Sequence, residues 1–188
     1  MSNSSIAFGG GQMKKIIIIL PMALIFCFMV GCQDKAAMDE LEEFRAQAAL
    51  EEANMDLAAR LAKAFKEHNI EAMKEIYSPD LISHRPQGDS SLDESLEIMK
   101  QEFVMFPDWT LSTEDLFVKG NKVVWRGTYT GTNTGDIEGF PATGKKFEAS
   151  CNIILRVGNG KVVEEWFEYD NLGVYQQLGF ELKSKEEK

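Results

Sequence analysis

Residues 107–132 read PDWTLSTEDLFVKGNKVVWRGTYTGT. Up to Pro107 the apolar residues recur with helical spacing, and after it they alternate, which is the period of a half-buried strand. The stretch divides into two strands, 109–118 and 122–132, joined by the hairpin turn Lys119-Gly120-Asn121. A second hairpin follows, with strands over 146–157 and 161–169 around Gly158-Asn159-Gly160. Its Asn-Gly pair favours a type I′ turn, which needs two residues with positive φ. Between the hairpins, residues 131–145 form a long connection containing Gly, Thr and Pro, and the chain closes with a helical piece over 171–178, ended by Gly179.

Upstream of Pro107 the sequence is helical. Residues 34–69 contain neither Gly nor Pro, and Met38, Leu41, Ala48, Met55, Leu61, Phe65 and His68 keep one helical face largely apolar. The Ala- and Glu-rich part reads as a stalk over 32–52, with too few heptads for a strong coiled coil. The first packed helix is expected from near Asn54, using Leu57, Leu61 and Phe65, with His68 as a structural residue at its C-terminal end. Asn69 can cap a short second helix with Met73, Ile76 and Tyr77 inward, stopped by Pro79, and 81–84 is a brief extended segment. Ser91-Leu92-Asp93-Glu94 is a capping box, after which Leu92, Leu96, Met99 and Phe103 form one stripe. Three helices followed by a strongly curved antiparallel sheet give an α+β architecture, a cone with a pocket between its layers.

The chain has 188 residues, 20 Lys+Arg against 30 Asp+Glu, and a net charge of −10. That balance excludes a binder that tracks nucleic-acid phosphates, so no nucleic-acid partner is expected. Three cysteines, Cys27, Cys32 and Cys151, do not make a disulfide framework, and with only His68 and His84 no metal centre is expected. Cys151, among strand-like residues, reads as buried and inert. Lys14-Lys15 precede an apolar run over 16–30, short of the roughly twenty residues of a spanning helix. The run ends in Met29-Val30-Gly31-Cys32, which resembles the lipobox of bacterial lipoproteins, so Cys32 is the expected lipidation site and membrane contact. The expected organisation is an N-terminal extension and signal peptide over 1–31 (Met13 being the more natural start), the lipidated stalk 32–52, a domain over 53–180 and a charged tail over 181–188. The expected location is the bacterial cell envelope. Gln33 rather than Asp after the cysteine favours the outer membrane, facing the periplasm, in a cell that has one.

Several motifs in order carry a resemblance: Phe106-Pro107-Asp108-Trp109, then Gly131-Thr132-Asn133-Thr134-Gly135, then the segments 139–145 and 160–166, then Asp170 and Gln177-Leu178-Gly179. Together they resemble the SnoaL-like ester cyclase family, whose fold is the nuclear transport factor-like cone, over about residues 53–180. The resemblance implies intramolecular aldol closure without metal or cofactor, in which a pocket carboxylate removes a proton from carbon flanked by carbonyls. Carried onto this chain, that residue is Asp170. Its alternative is a helix N-cap, for which Asp is equally suited. His84 stands where the family often places a polar pocket residue. Asn133 stands where a His is common, which leaves a hydrogen-bonding group in place of a proton-transfer group.

Further ligand-binding candidates are Arg126, able to orient an acidic oxygen, Glu164, and Trp166, which shares strand parity with Asp170 if no bulge intervenes. Trp109 and Tyr129 are expected as core or pocket wall. Three readings of function stay open. One is cofactor-free acid/base chemistry on a small carbonyl or lactone-like compound. The second is a lipid-tethered module binding a small apolar ligand without converting it. The third is an interaction protein that forms a homodimer through the open sheet.

Overall fold

The computed structural model describes residues 13–137 and 139–181, with side chains from residue 35 onward. The expected extension over 1–12, nearly all of the charged tail and the Cys32 side chain therefore lie outside the described residues. The chain divides into two units, Met1–Gln47 and Ala48–Lys188. The first contains the N-terminal part of helix α1 (Met13–Lys66), whose side chains from 35 to 47 are all exposed. No described helix is long and apolar enough to cross a membrane.

The second unit holds the rest of α1, then α2 (Ile70–Ile76), β1 (Tyr77–Arg85), β2 (Gly88–Ser90), α3 (Leu92–Met105), β3 (Thr110–Lys119), β4 (Lys122–Thr132), β5 (Lys146–Gly158), β6 (Lys161–Tyr169) and α4 (Asn171–Leu178). This is the expected α+β cone. Helix α1 does not begin at Asn54. Burial begins there instead, with Asn54 donating to the Gly120 carbonyl at 2.8 Å and Leu57, Leu61 and Phe65 in the core. Full burial of such side chains stabilises by about 1.5–3 kcal/mol each. Asn69 caps α2 by accepting from Ala72 N–H, and the Ser91/Glu94 capping box opens α3. His68 closes α1 in a left-handed conformation, stacked on Phe103 and bonded to the Trp109 carbonyl.

The six strands form one open sheet in the order β2-β1-β6-β5-β4-β3. It is mixed rather than wholly antiparallel, because β1 pairs with β6 in parallel. The short extended segment read from the sequence is in fact a full strand that includes Pro79 and lies between β2 and β6. Both hairpins turn where expected, with positive φ at Gly120, Asn159 and Gly160.

The register shifts on β1 between Tyr77 and Ile82, and two further irregularities bear on which side chains of β3 and β6 face inward. On β3 the register shifts between Thr113 and Asp115, leaving Glu114 as an extra residue. On β6, Val162 pairs with Val157 and Glu164 with Arg156, so Val163 is a bulge. A bulge inserts one residue and reverses the alternation beyond it. The buried residues of β6 are accordingly Val162, Glu165 and Phe167. Bulges also bend a strand and increase its local twist, and a hollow lies between the sheet and α3.

Candidate active site

The hollow is a cavity of about 580 Å³, large enough for a drug-sized molecule. Its apolar wall includes Phe106, Trp109, Phe147, Phe140, Tyr175 and Phe180. Its polar wall comes from the β1–β2 hairpin, α3, β4 and the end of β6: Arg85, Gln87, Glu102, Tyr129 and Tyr169.

Sequence reasoning named Trp109, Tyr129 and Asn133, and all three line the cavity. The Trp109 indole N–H and the Tyr129 hydroxyl are buried without a hydrogen-bond partner, and burial pushes the Tyr129 phenol up so that it stays a donor. Asn133 is buried with its amide occupied: Oδ1 accepts from Thr143 N–H at 2.8 Å and Nδ2 donates to the Gly135 carbonyl at 3.2 Å. It fastens the ends of the loop that brings Ile137 and Phe140 to the cavity.

The remaining candidates are not in the cavity. Asp170 is exposed and is the N-cap of α4, accepting the Gly173 N–H at 2.8 Å. A Cβ on Gly173 would lie 2.2 Å from the same carboxylate, so Gly173 makes room for the cap. Glu164, Trp166 and His84 lie on the outer sheet face. His84 bonds Asp89 at 2.7 Å and Glu164 at 3.0 Å, and its ring stacks on Trp166. These two carboxylates raise the His84 pKa, and the hydrogen bond from His84 lowers that of Glu164. The Val163 bulge is the reason for the correction. It turns Glu164, Trp166 and, beyond them, Asp170 outward and brings Glu165, Phe167 and Tyr169 inward. Arg126 also faces outward, paired with Asp115 and Glu114, because Trp125 before it is the buried member of the alternation.

The residues that the sequence analysis did not name are Arg85, Glu102 and Glu165. Arg85 follows His84 on β1 and has only 5% of its side chain exposed. Its Nη2 lies 3.7 Å from Glu165, and its Nη1, without a hydrogen-bond partner, lies 3.9 Å from Glu102. Burial depresses the guanidinium pKa, but Glu165 and Glu102 outweigh it and hold the group charged. Glu165 accepts the Tyr77 hydroxyl at 2.6 Å and the Ser83 hydroxyl at 2.9 Å. Burial raises the Glu102 pKa, Arg85 pulls it back and Glu165 raises it again, with a net upward shift. A carboxylic acid in this state takes and returns a proton more readily near neutral pH than an exposed one. Its sequence signal was an acidic residue on a helical stripe, since Glu102 lies three residues after Met99 and four before Phe106.

Cys151 is buried and its thiol is pushed up to about 11 by burial, as expected of an inert core residue. Among the described residues no group of three or more His, Cys, Asp or Glu side chains is disposed to hold a metal ion.

The geometry agrees with known proteins. A candidate polyketide cyclase from Acidithiobacillus ferrooxidans has 31% identity over 67% of this chain and 93% of its own, with a TM-score of 0.58. IdmH, a candidate polyketide cyclase from Streptomyces antibioticus, has 29% identity over 67% of this chain and 98% of its own, with a TM-score of 0.59. AclR, a candidate hydroxylase from Streptomyces galilaeus, shares the fold at 23% identity, covering 72% of this chain and 87% of its own with a TM-score of 0.63. No curated protein matches the chain. The family model described as SnoaL-like polyketide cyclase matches residues 55–178, which include nearly all of the cavity lining, and the chain belongs to that family.

Proposed function

We propose that the cavity carries out acid/base chemistry of cyclase, isomerase or hydrolase type on a small carbonyl or lactone-like compound, using the chain's own side chains. Glu102 takes the proton from carbon beside the carbonyl and returns it to the product. Arg85, Trp109 and Tyr129 donate to the oxygen on which negative charge develops. The observation that carries this reading is the pairing of Glu102, a cavity carboxyl held toward its neutral form by burial, with the free Arg85 Nη1 beside it. Family membership supports a small-molecule cyclase or isomerase type of function.

The test is α-proton exchange of 1-tetralone in D₂O followed by NMR. The domain should accelerate exchange and Glu102→Gln should not. Exchange no faster than in buffer, or unchanged by the substitution, favours the second reading, a binding module. That reading has its own support, since Asp170 serves as a cap and leaves the cavity one titratable carboxyl fewer.

The same reading places the domain in the cell envelope, exported and tethered through acylated Cys32, on the support of the Lys14-Lys15, apolar and Gly31-Cys32 sequence. Fatty-acid labelling that survives Cys32→Ser would sink it. A second copy would seat on the outer sheet face, where Phe117, Val124, Ile154, Trp166 and His84 form one cross-strand row. Sedimentation of the wild type and Phe117→Lys as identical monomers would remove that partner.

A further inference from the structure

We infer that Glu165 is a specificity-determining residue acting through Arg85: it neutralises the guanidinium in advance, so the cavity takes an uncharged carbonyl compound and turns away the corresponding carboxylate. This deepens the reading above and rests on its assignment of Arg85 to the ligand oxygen.

Arg85 is held on three sides. Glu165 lies 3.7 Å from Nη2, the Ser83 hydroxyl accepts from Nε at 3.4 Å, and the Phe167 ring lies under the guanidinium at 5.4 Å. Ser83 and Tyr77 both donate to Glu165, one to each carboxylate oxygen, an arrangement suited to the ionised acid. Burial and the neighbouring Glu165 raise the Tyr77 pKa, which keeps that hydroxyl a donor. The guanidinium is thereby fixed in one orientation, with the Nη1 amino group left without a hydrogen-bond partner.

Charge decides which ligand fits. Arg85 is the only cationic side chain among the described residues lining the cavity, and its charge is already balanced by Glu165. Glu102, 3.9 Å from Nη1, is a second carboxyl at the same spot. Asp89, Glu94 and Glu97 add negative charge around the cavity. A carboxylate entering this site would bring another negative charge beside these carboxyls, with no second cation among the described lining residues, and juxtaposed like charges are costly. A neutral carbonyl oxygen needs only one donor, and it satisfies an N–H group that is otherwise buried and unpaired.

The experiment compares two probes of nearly equal shape, 2-acetyl-1-naphthol and 1-hydroxy-2-naphthoate, by isothermal titration calorimetry at neutral pH. The wild-type protein should bind the ketone at least about tenfold more tightly than the acid. Glu165→Gln keeps an acceptor for Tyr77 and Ser83 but removes the counter-charge. It should raise acid affinity by about tenfold while leaving ketone affinity within about threefold. Should that variant not fold, Arg85→Met replaces it and must weaken ketone binding by about tenfold. Acid binding as tight as ketone binding in the wild type, binding of neither probe, or an unchanged preference in Glu165→Gln overturns the inference. Because this is equilibrium binding, its failure is separate from that of the proton-exchange test: a non-catalytic Glu102 abolishes exchange and leaves the preference intact.

Discussion

His84 and Arg85 are adjacent on β1, and Glu164 and Glu165 are adjacent on β6, yet the two basic–acidic pairs live in different environments. His84–Glu164 sits on the outer face, shared with Asp89 and Arg156. Arg85–Glu165 sits inside, with 5% and 4% of the respective side chains exposed. The same chemistry one residue apart gives a solvent-screened surface network on one side of the sheet and a desolvated ion pair beside the cavity on the other. What separates them is the alternation of a strand, so chemical type alone does not identify a functional residue.

The sharpest way to break this contrast is to delete one acid from each pair. Glu165→Leu leaves the Arg85 charge buried without its partner and should destabilise the domain by about 3–5 kcal/mol in urea unfolding. Glu164→Leu should leave the urea midpoint near that of the wild type, because its partners remain solvated.

Next in size is Glu102→Gln, which should lower proton-exchange turnover by about 10²–10⁴-fold without loss of thermal stability at neutral pH. The sign follows from its raised folded-state pKa. Such a group stabilises fully below its ordinary value of 4.5, and that stabilisation is lost as pH rises through the folded value. The variant has no such loss, so its melting temperature should gain on the wild type as pH rises, read by calorimetry.

A smaller effect belongs to the cap. Asp170→Ala should cost about 1 kcal/mol, whereas Asp170→Asn should retain both stability and turnover. Turnover lost in Asp170→Asn with the urea midpoint unchanged would return Asp170 to the chemistry.

The smallest effect concerns His84, whose pKa is raised by hydrogen bonds to Glu164 and Asp89. Its contribution is fully present below about pH 6.5 and is lost as pH rises through the folded-state value. The urea midpoint of His84→Gln should therefore lack the decline that the wild type shows over that window. Parallel profiles would show that His84 contributes nothing.

Much of the fold was legible because its signals are local. The capping box at Ser91, the Asn159-Gly160 turn and the change of period at Pro107 each depend on a few neighbouring residues, and each stands where the sequence put it. The parallel pairing of β1 with β6 was not legible, since the partners are about eighty residues apart and nothing in either segment names the other. Among site residues, Trp109 and Tyr129 were found from their aromatic character on strands. Arg126 was misplaced although Trp125 and Tyr129, the inward residues of its own strand, give it the opposite parity. Glu102 was readable as an acid on an apolar stripe. Arg85 was passed over for its neighbour His84.

The sequence by itself determined the helices, the two hairpins, the family and the set of residues able to do acid/base work, because each of these rests on spacing, capping or motif order along the chain. Tertiary structure alone decided which of those residues share a cavity. One unpaired residue, Val163, shifts the strand phase by a single position, and whether a strand bulges depends on how its register must match a partner strand across the sheet. That match is a property of the assembled sheet, and it put Glu165 inside, beside Arg85 of β1, and left Asp170 facing outward at the start of a helix.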